Sequence, residues 1–422
     1  MPTRTIKLET TAGRLLIPLL AVICVAGAYI FANWFLADTI ALRAVQKEVA
    51  DLAVEMAPSN PQAHLASAIL HEKSFLPEDL PKSLAEFEEA AARSPYDYRL
   101  WYELGRARER SGDADGAEKA LRRALALAPN YAQVQWTLGN FLLRQGKSDE
   151  AFVEIRKAAE SDKSFANPAM ASASQLFEGD AAALRRYAGD SPNLRAALAL
   201  VSARAQRFDE ALEVWQSLPE DARREDFKTN GEEIYQKMIE AKRYRAALTV
   251  FGGLAGSEDK KFAVGQLTNG GFEAENPKNA GVFEWQIADG TEPQIGVDNA
   301  QRHGGNMSLK LIFNSGGSAF RGVTQTVAVE SNKKYAFEVF YKAELKTEAT
   351  VKWEIVDAAD GKVLAATDTV AANSDWSSLK TEFVVPAATE AVVVRLVRGA
   401  CKSAACPISG RLWFDDFSLS AR

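Results

Sequence analysis

Side chains that could do bond-making chemistry are few in this chain and scattered. The three histidines, His64, His71 and His303, have no metal-ligand spacing, and the cysteines form no Cys-x-x-Cys pair. Glycan hydrolysis would need two carboxylates in one cleft, and covalent catalysis an activated nucleophile beside a base. Acidic residues are plentiful, yet none stands in a Gly-x-Ser-x-Gly, His-Glu-x-x-His or Walker pattern. The chain is therefore read as a non-enzyme, with a glycan-acting hydrolase as the alternative. Cys401 and Cys406, with Lys-Ser-Ala-Ala between them, would close a small disulfide loop in an oxidising compartment or remain two free thiols. The net charge of −6 has no basic block, which argues against nucleic-acid binding.

Recognition chemistry depends on the elements that carry it, and the first of these is apolar. Leu15 to Leu36 runs for 22 residues without a charge, enough to cross a hydrocarbon core of about 30 Å. Arg4, Lys7 and Arg14 precede the run, and Tyr29 and Trp34 lie toward its far end. The positive-inside rule places residues 1–14 in the cytoplasm and everything after the span outside, in a bacterial inner membrane. Ala26-Gly27-Ala28 offers a signal-peptidase site, but the apolar run continues past it, so an uncleaved anchor is expected.

The next element is a repeat. Pro61, Pro95 and Pro129 are 34 residues apart, as are Leu70, Leu104 and Leu138, and Phe87, Leu121 and Ile155. Gly105 pairs with Gly139 and Ala117 with Ala151 at the same offset. The pattern resembles the tetratricopeptide repeat, with Trp101, Leu104, Gly105, Ala117, Leu121, Ala124 and Pro129 on that family's signature. The resemblance implies an all-α solenoid of antiparallel helix pairs over 38–256, clear over 64–165 and divergent afterward. Gly105 and Gly139 would let paired helices approach, and His71, which replaces that small residue, is expected to be packed in the core. The family's concave groove maps onto Arg99, Tyr102, Arg106 and Arg110 in one repeat, and onto Gln133, Trp136, Asn140 and Arg144 in the next. Four arginines and two aromatics there would suit an acidic peptide or an anionic polymer, or form an ordinary solvated helix face.

After a polar linker at 257–264 the period changes from 3.6 to 2. Val323–Val329, Tyr335–Tyr341, Val351–Ile355 and Val392–Leu396 alternate, separated by turn-rich pieces, and about eight strands predict an antiparallel β-sandwich over 265–422. Leu267-Thr-Asn-Gly-Gly-Phe-Glu273, His303-Gly-Gly-Asn-Met-Ser-Leu-Lys-Leu311 and Trp413-Phe-Asp-Asp-Phe-Ser-Leu419 resemble jelly-roll carbohydrate-binding modules. That resemblance implies a possible structural calcium at Glu273 and Asp415, the latter pointing inward in phase with Phe417 and Leu419. It also gives Trp285, Trp376 and Trp413 structural places. Phe340 is out of phase with its strand neighbours and is expected to share a charged, glycan-facing surface with Glu338, Lys342 and Arg395. With so few aromatics left for stacking, the repeat groove is the better-supported recognition site.

The architecture expected is multidomain α plus β: one transmembrane helix, a helical solenoid and a C-terminal jelly roll. The function expected is a membrane-anchored extracytoplasmic binding or scaffold protein. Its groove would recruit a protein and its sandwich would contact glycan or protein, in envelope or exopolysaccharide assembly. A purely structural spacer is a further alternative.

Overall fold

The computed structural model describes residues 11–255, 262–274, 280–314, 320–347, 351–399 and 407–422. These fall into two compact units that divide after Leu176. The cysteine pair and most of the expected linker lie outside the described residues.

Among its described residues the first unit has helices and no strands. Helix α1 (Thr11–Arg43) is followed by α2 (Lys47–Met56), α3 (Pro61–Lys73), α4 (Leu80–Arg93), α5 (Tyr98–Arg110), α6 (Ala114–Leu127), α7 (Ala132–Arg144), α8 (Ser148–Ser161) and α9 (Ala166–Leu176). The apolar part of α1 packs against no protein, and its length and composition are those of a single membrane span or of a signal sequence. From α3 onward the helices alternate in direction, and the 34-residue period sets how they pack. A Cβ added to Gly105 would sit 2.6 Å from Leu121 Cγ, and one on Gly139 would sit 2.6 Å from Ile155 Cγ1. Each glycine is thus the contact at which the two helices of a repeat touch. Asn60 caps α3, its Oδ1 accepting from the Gln62 and Ala63 amides, and Pro61 takes the first helical position, where no N–H is needed. Trp101 Nε1 donates to the Pro95 carbonyl and Gln135 Nε2 to the Pro129 carbonyl, so one hydrogen bond recurs at the repeat spacing. His71 is buried, as expected of a core residue, and its two ring nitrogens meet Asp79 and Asp51.

The second unit begins with α10 (Ala181–Ala188), α11 (Pro192–Arg204), α12 (Phe208–Gln216), α13 (Glu220–Arg224), α14 (Lys228–Glu240) and α15 (Tyr244–Ala255). Trp215 is wholly buried and fills the space that Gly231 leaves between α12 and α14. Among the described residues ten strands follow, in two antiparallel five-stranded sheets. One sheet has the order β1 (Gln286–Ile287), β4 (Val323–Ala328), β9 (Ala391–Arg398), β6 (Val351–Asp357), β7 (Val363–Ala366). The other has the order β2 (Gln294–Asp298), β3 (Ser308–Phe313), β10 (Ile408–Ala421), β5 (Lys334–Thr347), β8 (Asn373–Val384). Alternating residues of both sheets meet in one core around Trp285, Trp353, Phe337, Phe414 and Phe417. Trp353 is fully buried, as its phase with Val351 and Ile355 predicts.

The last helix pair is fastened to this sandwich. Tyr235 and Phe251 pack with Phe283 at ring separations of 5.2 to 6.3 Å. Tyr244 Oη donates to the Ala358 carbonyl, and the Arg245 amide donates to the Glu390 carboxylate. Burial raises the phenol pKa of both Tyr235 and Tyr244, as expected of side chains withdrawn from water.

Candidate functional site

Glu273 and Asp415 organise the loop at 303–307. Asp415 Oδ2 accepts from the amides of His303 (2.8 Å) and Gly304 (3.0 Å), and Glu273 Oε1 accepts from Asn306 (2.7 Å) and Met307 (3.0 Å). The Met307 and Asn306 amides hold the Glu273 carboxyl below the usual carboxylate range. Burial pushes the Asp415 carboxyl up, against the three backbone donors it accepts from. Asp415 does not alternate with Phe417 and Leu419 as the sequence phase implied. The strand bulges between Asp415 and Ser418, with Asp416 at φ +48°, and the bulge resets the phase. Asp415 is therefore the cross-strand partner of Phe340 and is covered by the 303–304 backbone rather than by the core.

The loop so held carries His303 onto Phe340. Their rings lie 3.8 Å apart at 12°, and His303 Nδ1 meets Asp416 Oδ2 at 2.7 Å. Trp376 completes the group, its ring 5.6 Å from that of His303. A second bulge, opposite Lys342, breaks the β5–β8 register between Tyr341 and Ala343 and leaves Trp376 half-buried on this face. The structural place expected for Trp376 is thus corrected: Trp285 and Trp413 are buried, whereas Trp376 stands beside Phe340 and His303. Lys342 shares the face and pairs with Asp375 at 3.1 Å. Arg395 does not share it. That residue lies on β9, in the opposite sheet, and is bound to Glu354 at 2.8 Å. Glu338 is on the Phe340 strand and face but is paired with Lys380. The face thus offers three neighbouring rings edged by paired charges, an arrangement suited to stacking on an apolar ring face with hydrogen bonds at its rim.

Flanking this platform, Asp298 is half-buried between Lys310 Nζ at 2.9 Å and the Trp413 indole N–H at 2.7 Å. Burial raises its pKa, but these two donors outweigh it and hold the carboxyl at about 2.

The repeat unit has its own concavity, of about 470 Å³, lined by Tyr102, Arg106, Gln133, Trp136, Thr137, Asn140 and Arg144. The 34-residue register therefore brings most of the expected groove residues together. Tyr102 Oη accepts from Gln133 and Thr137, Arg106 lies over the Tyr102 ring, and Trp136 stacks on Phe165 at 5.0 Å. Arg99 and Arg110 fall outside this concavity. Arg99 turns back to Asp97, and Arg110 reaches Glu72 at 2.8 Å. The groove arginines are also not free cations. Arg106 pairs with Glu103, and Arg144 pairs with Glu109 one repeat earlier. The groove thus combines paired charges with amides and aromatic rings.

Among the described residues no group of three or more histidine, cysteine or acidic side chains is placed to hold a metal ion. Comparison with known proteins agrees with the two architectures. Residues 77–132 and 102–166 match the tetratricopeptide-repeat family model, and residues 264–403 match the carbohydrate-binding-domain model. Both are binding modules rather than catalytic domains. No curated protein matches the chain. A structure titled "CBM4 structure and function" is 19% identical, covers 37% of this chain and 99% of its own, and has a TM-score of 0.29. TmCBM61 in complex with β-1,4-galactotriose is 14% identical over 36% of this chain and 96% of its own, with a TM-score of 0.27. MamA from Desulfovibrio magneticus RS-1 is 22% identical over 28% of this chain, with a TM-score of 0.26, and the match spans 65% of that chain. The protein thus carries tetratricopeptide repeats over 77–166 and a carbohydrate-binding-module β-sandwich over 264–403.

Proposed function

We propose that this is a membrane-anchored scaffold that binds glycan through the His303–Phe340–Trp376 platform and a protein segment through the repeat groove. The observation that carries the glycan reading is the ring cluster itself. Neighbouring aromatics that are at least part-exposed are what sugar stacking needs, and His303, Phe340 and Trp376 stand within the segment that matches the carbohydrate-binding model. Lys342, Asp375 and Asp416 at the rim favour a glycan bearing charged or hydrogen-bonding substituents over a bare neutral chain. The balanced charge of the repeat groove favours a polar, aromatic-containing peptide over a strongly acidic one. Continuity of α1 supports the anchor: Ala37 and Ala41 are buried in the array, so cleavage near Ala28 would cut a helix whose end is structural. A single pass in a bacterial inner membrane, with both binding modules outside and a role in envelope or exopolysaccharide assembly, is the setting these features suit.

A structural calcium is part of the same proposal. Glu273 Oε1 and Asp415 Oδ1 both come within 4 Å of the place a Gly271 Cβ would fill, so glycine keeps open a small space faced by two carboxylates. Those residues would hold the ion with backbone oxygens, and the ion would offset the cost of burying the Asp415 charge.

The test is retention of the full chain on a glycan array. Wild type and Arg395→Ala are expected to be retained on a common set of glycans and Trp376→Ala lost from it. Equal retention of all three, or none, would remove the glycan role.

A further inference from the structure

We propose that one edge of the repeat array rests on the lipid headgroup layer, with Tyr96 and Tyr131 as its interfacial side chains. This rests on the reading of α1 as a membrane span. The helix does not stop where its apolar run stops. Beyond Leu36 it continues to Arg43, and Ala37 and Ala41 pack with Ala53, Ala57 and Ala63. No free linker therefore separates the span from the array. Asn60 Nδ2 also donates to the carbonyl of Trp34 at 3.2 Å. Trp34 lies two residues, roughly 3 Å of helix, before the end of the apolar run. The α2–α3 connection at 57–60 is thus tied to the point where the span meets the headgroups.

Helix alternation carries that placement along the array. Because neighbouring helices run in opposite directions, the α4–α5 connection (94–97) and the α6–α7 connection (128–131) lie at the same end as 57–60. The α3–α4 and α5–α6 connections lie at the other end. The near edge has the composition of an interface: Pro58-Ser59-Asn60, Pro95-Tyr96-Asp97 and Pro129-Asn130-Tyr131. Tyr96 is 81% exposed and Tyr131 49% exposed, so both rings are open to whatever this edge meets. Tyr98 packs on Tyr131 at 5.1 Å, and Arg123 lies over the Tyr96 ring at 6.0 Å. Tyrosine favours the headgroup region because its ring is apolar and its hydroxyl is not, and arginine extends its charge to the phosphates from an apolar stem. Asp97 on this edge is neutralised by Arg99 at 2.6 Å.

The opposite edge supplies the control. Phe75, in the α3–α4 connection, is 88% exposed but faces away from the span. Benzoylphenylalanine is placed at Tyr96, at Tyr131 or at Phe75 in separate full-length variants, reconstituted in vesicles of phosphatidylcholine and phosphatidylglycerol. After illumination, lipid adducts are measured by mass spectrometry, and membrane retention by alkaline carbonate extraction. Retained chain is expected to show at least tenfold more lipid adduct at 96 and 131 than at 75. Retained chain with no excess at 96 and 131, or with adducts there only to protein, would overturn the inference while leaving the span intact. Release by carbonate would overturn the span reading and this inference with it.

Discussion

Asp415→Ala tests the part of the structure on which the platform depends. The carboxylate is wholly buried and accepts three backbone N–H groups, from His303 (2.8 Å), Gly304 (3.0 Å) and Asp416 (2.7 Å). Alanine leaves the His303 and Gly304 donors without their acceptor, and an unsatisfied buried donor costs about 1–3 kcal/mol. Relief of the buried charge, visible in the raised Asp415 pKa, returns part of that. The net expectation is about 2–4 kcal/mol of lost stability. Asp415→Asn keeps one carbonyl acceptor and is expected to lose less than half as much. Hydrogen exchange read by mass spectrometry resolves the effect locally. Amides at 303–307 should exchange faster in the alanine variant by at least tenfold, since about 1.4 kcal/mol corresponds to one decade. Urea unfolding of the sandwich should shift in the same order. Unchanged exchange at 303–307, with a stability loss under about 0.5 kcal/mol, would refute the idea that this carboxylate holds the loop.

Three further outcomes follow from other contacts. Gly139→Val would press a branched side chain against Ile155 and the Ala151 carbonyl, so circular dichroism should show the repeat unit destabilised by more than about 2 kcal/mol, whereas Gly146→Ala, which meets nothing within 4 Å but has φ +75°, should cost about 1 kcal/mol. The Glu86 carboxylate, 2.5 Å from His64, raises the imidazole pKa above its ordinary value of about 6.5, so the stability this pair supplies is complete below that value and is lost as pH rises through the higher folded value. Urea midpoints should therefore fall as pH is raised above about 6.5 in wild type, and the slope should flatten in His64→Gln. Millimolar calcium should raise the melting temperature of wild type and not that of Asp415→Asn; an equal response in both would remove the ion from Glu273 and Asp415.

Elements with a strong period could be read from the sequence alone. A glycine every 34 residues is what two helices in contact require, and Gly105 and Gly139 sit where a Cβ would collide. The apolar run of α1 and the alternation around Trp353 were equally direct. Features set by single-residue backbone shifts were not legible. The bulge at Asp416 reverses the facing of Asp415, and the bulge opposite Lys342 brings out Trp376. Neither leaves a mark in hydrophobic phase, so Phe340 and Lys342 are legible as part of the platform but Trp376 and the stacked His303 are not. The His303-Gly-Gly-Asn306 turn was visible, but not that two distant carboxylates fold it over Phe340. Sheet membership is a long-range property, which is why Arg395 was grouped with residues of the other sheet. Pairing of the groove arginines is only partly legible: Glu103 stands three residues before Arg106 on its own helix, but Glu109 lies one repeat before Arg144.

The central claim is that the sandwich recognises glycan with three neighbouring rings. Its most direct measurement is the affinity of the full chain for the strongest array ligand, compared between wild type and Trp376→Ala by calorimetry. Truncating an aromatic at the centre of a recognition surface typically costs 2 kcal/mol or more, about a 30-fold loss of affinity. A loss of that size, with Arg395→Ala unchanged, is the predicted result. Undiminished affinity of the Trp376→Ala protein would contradict it.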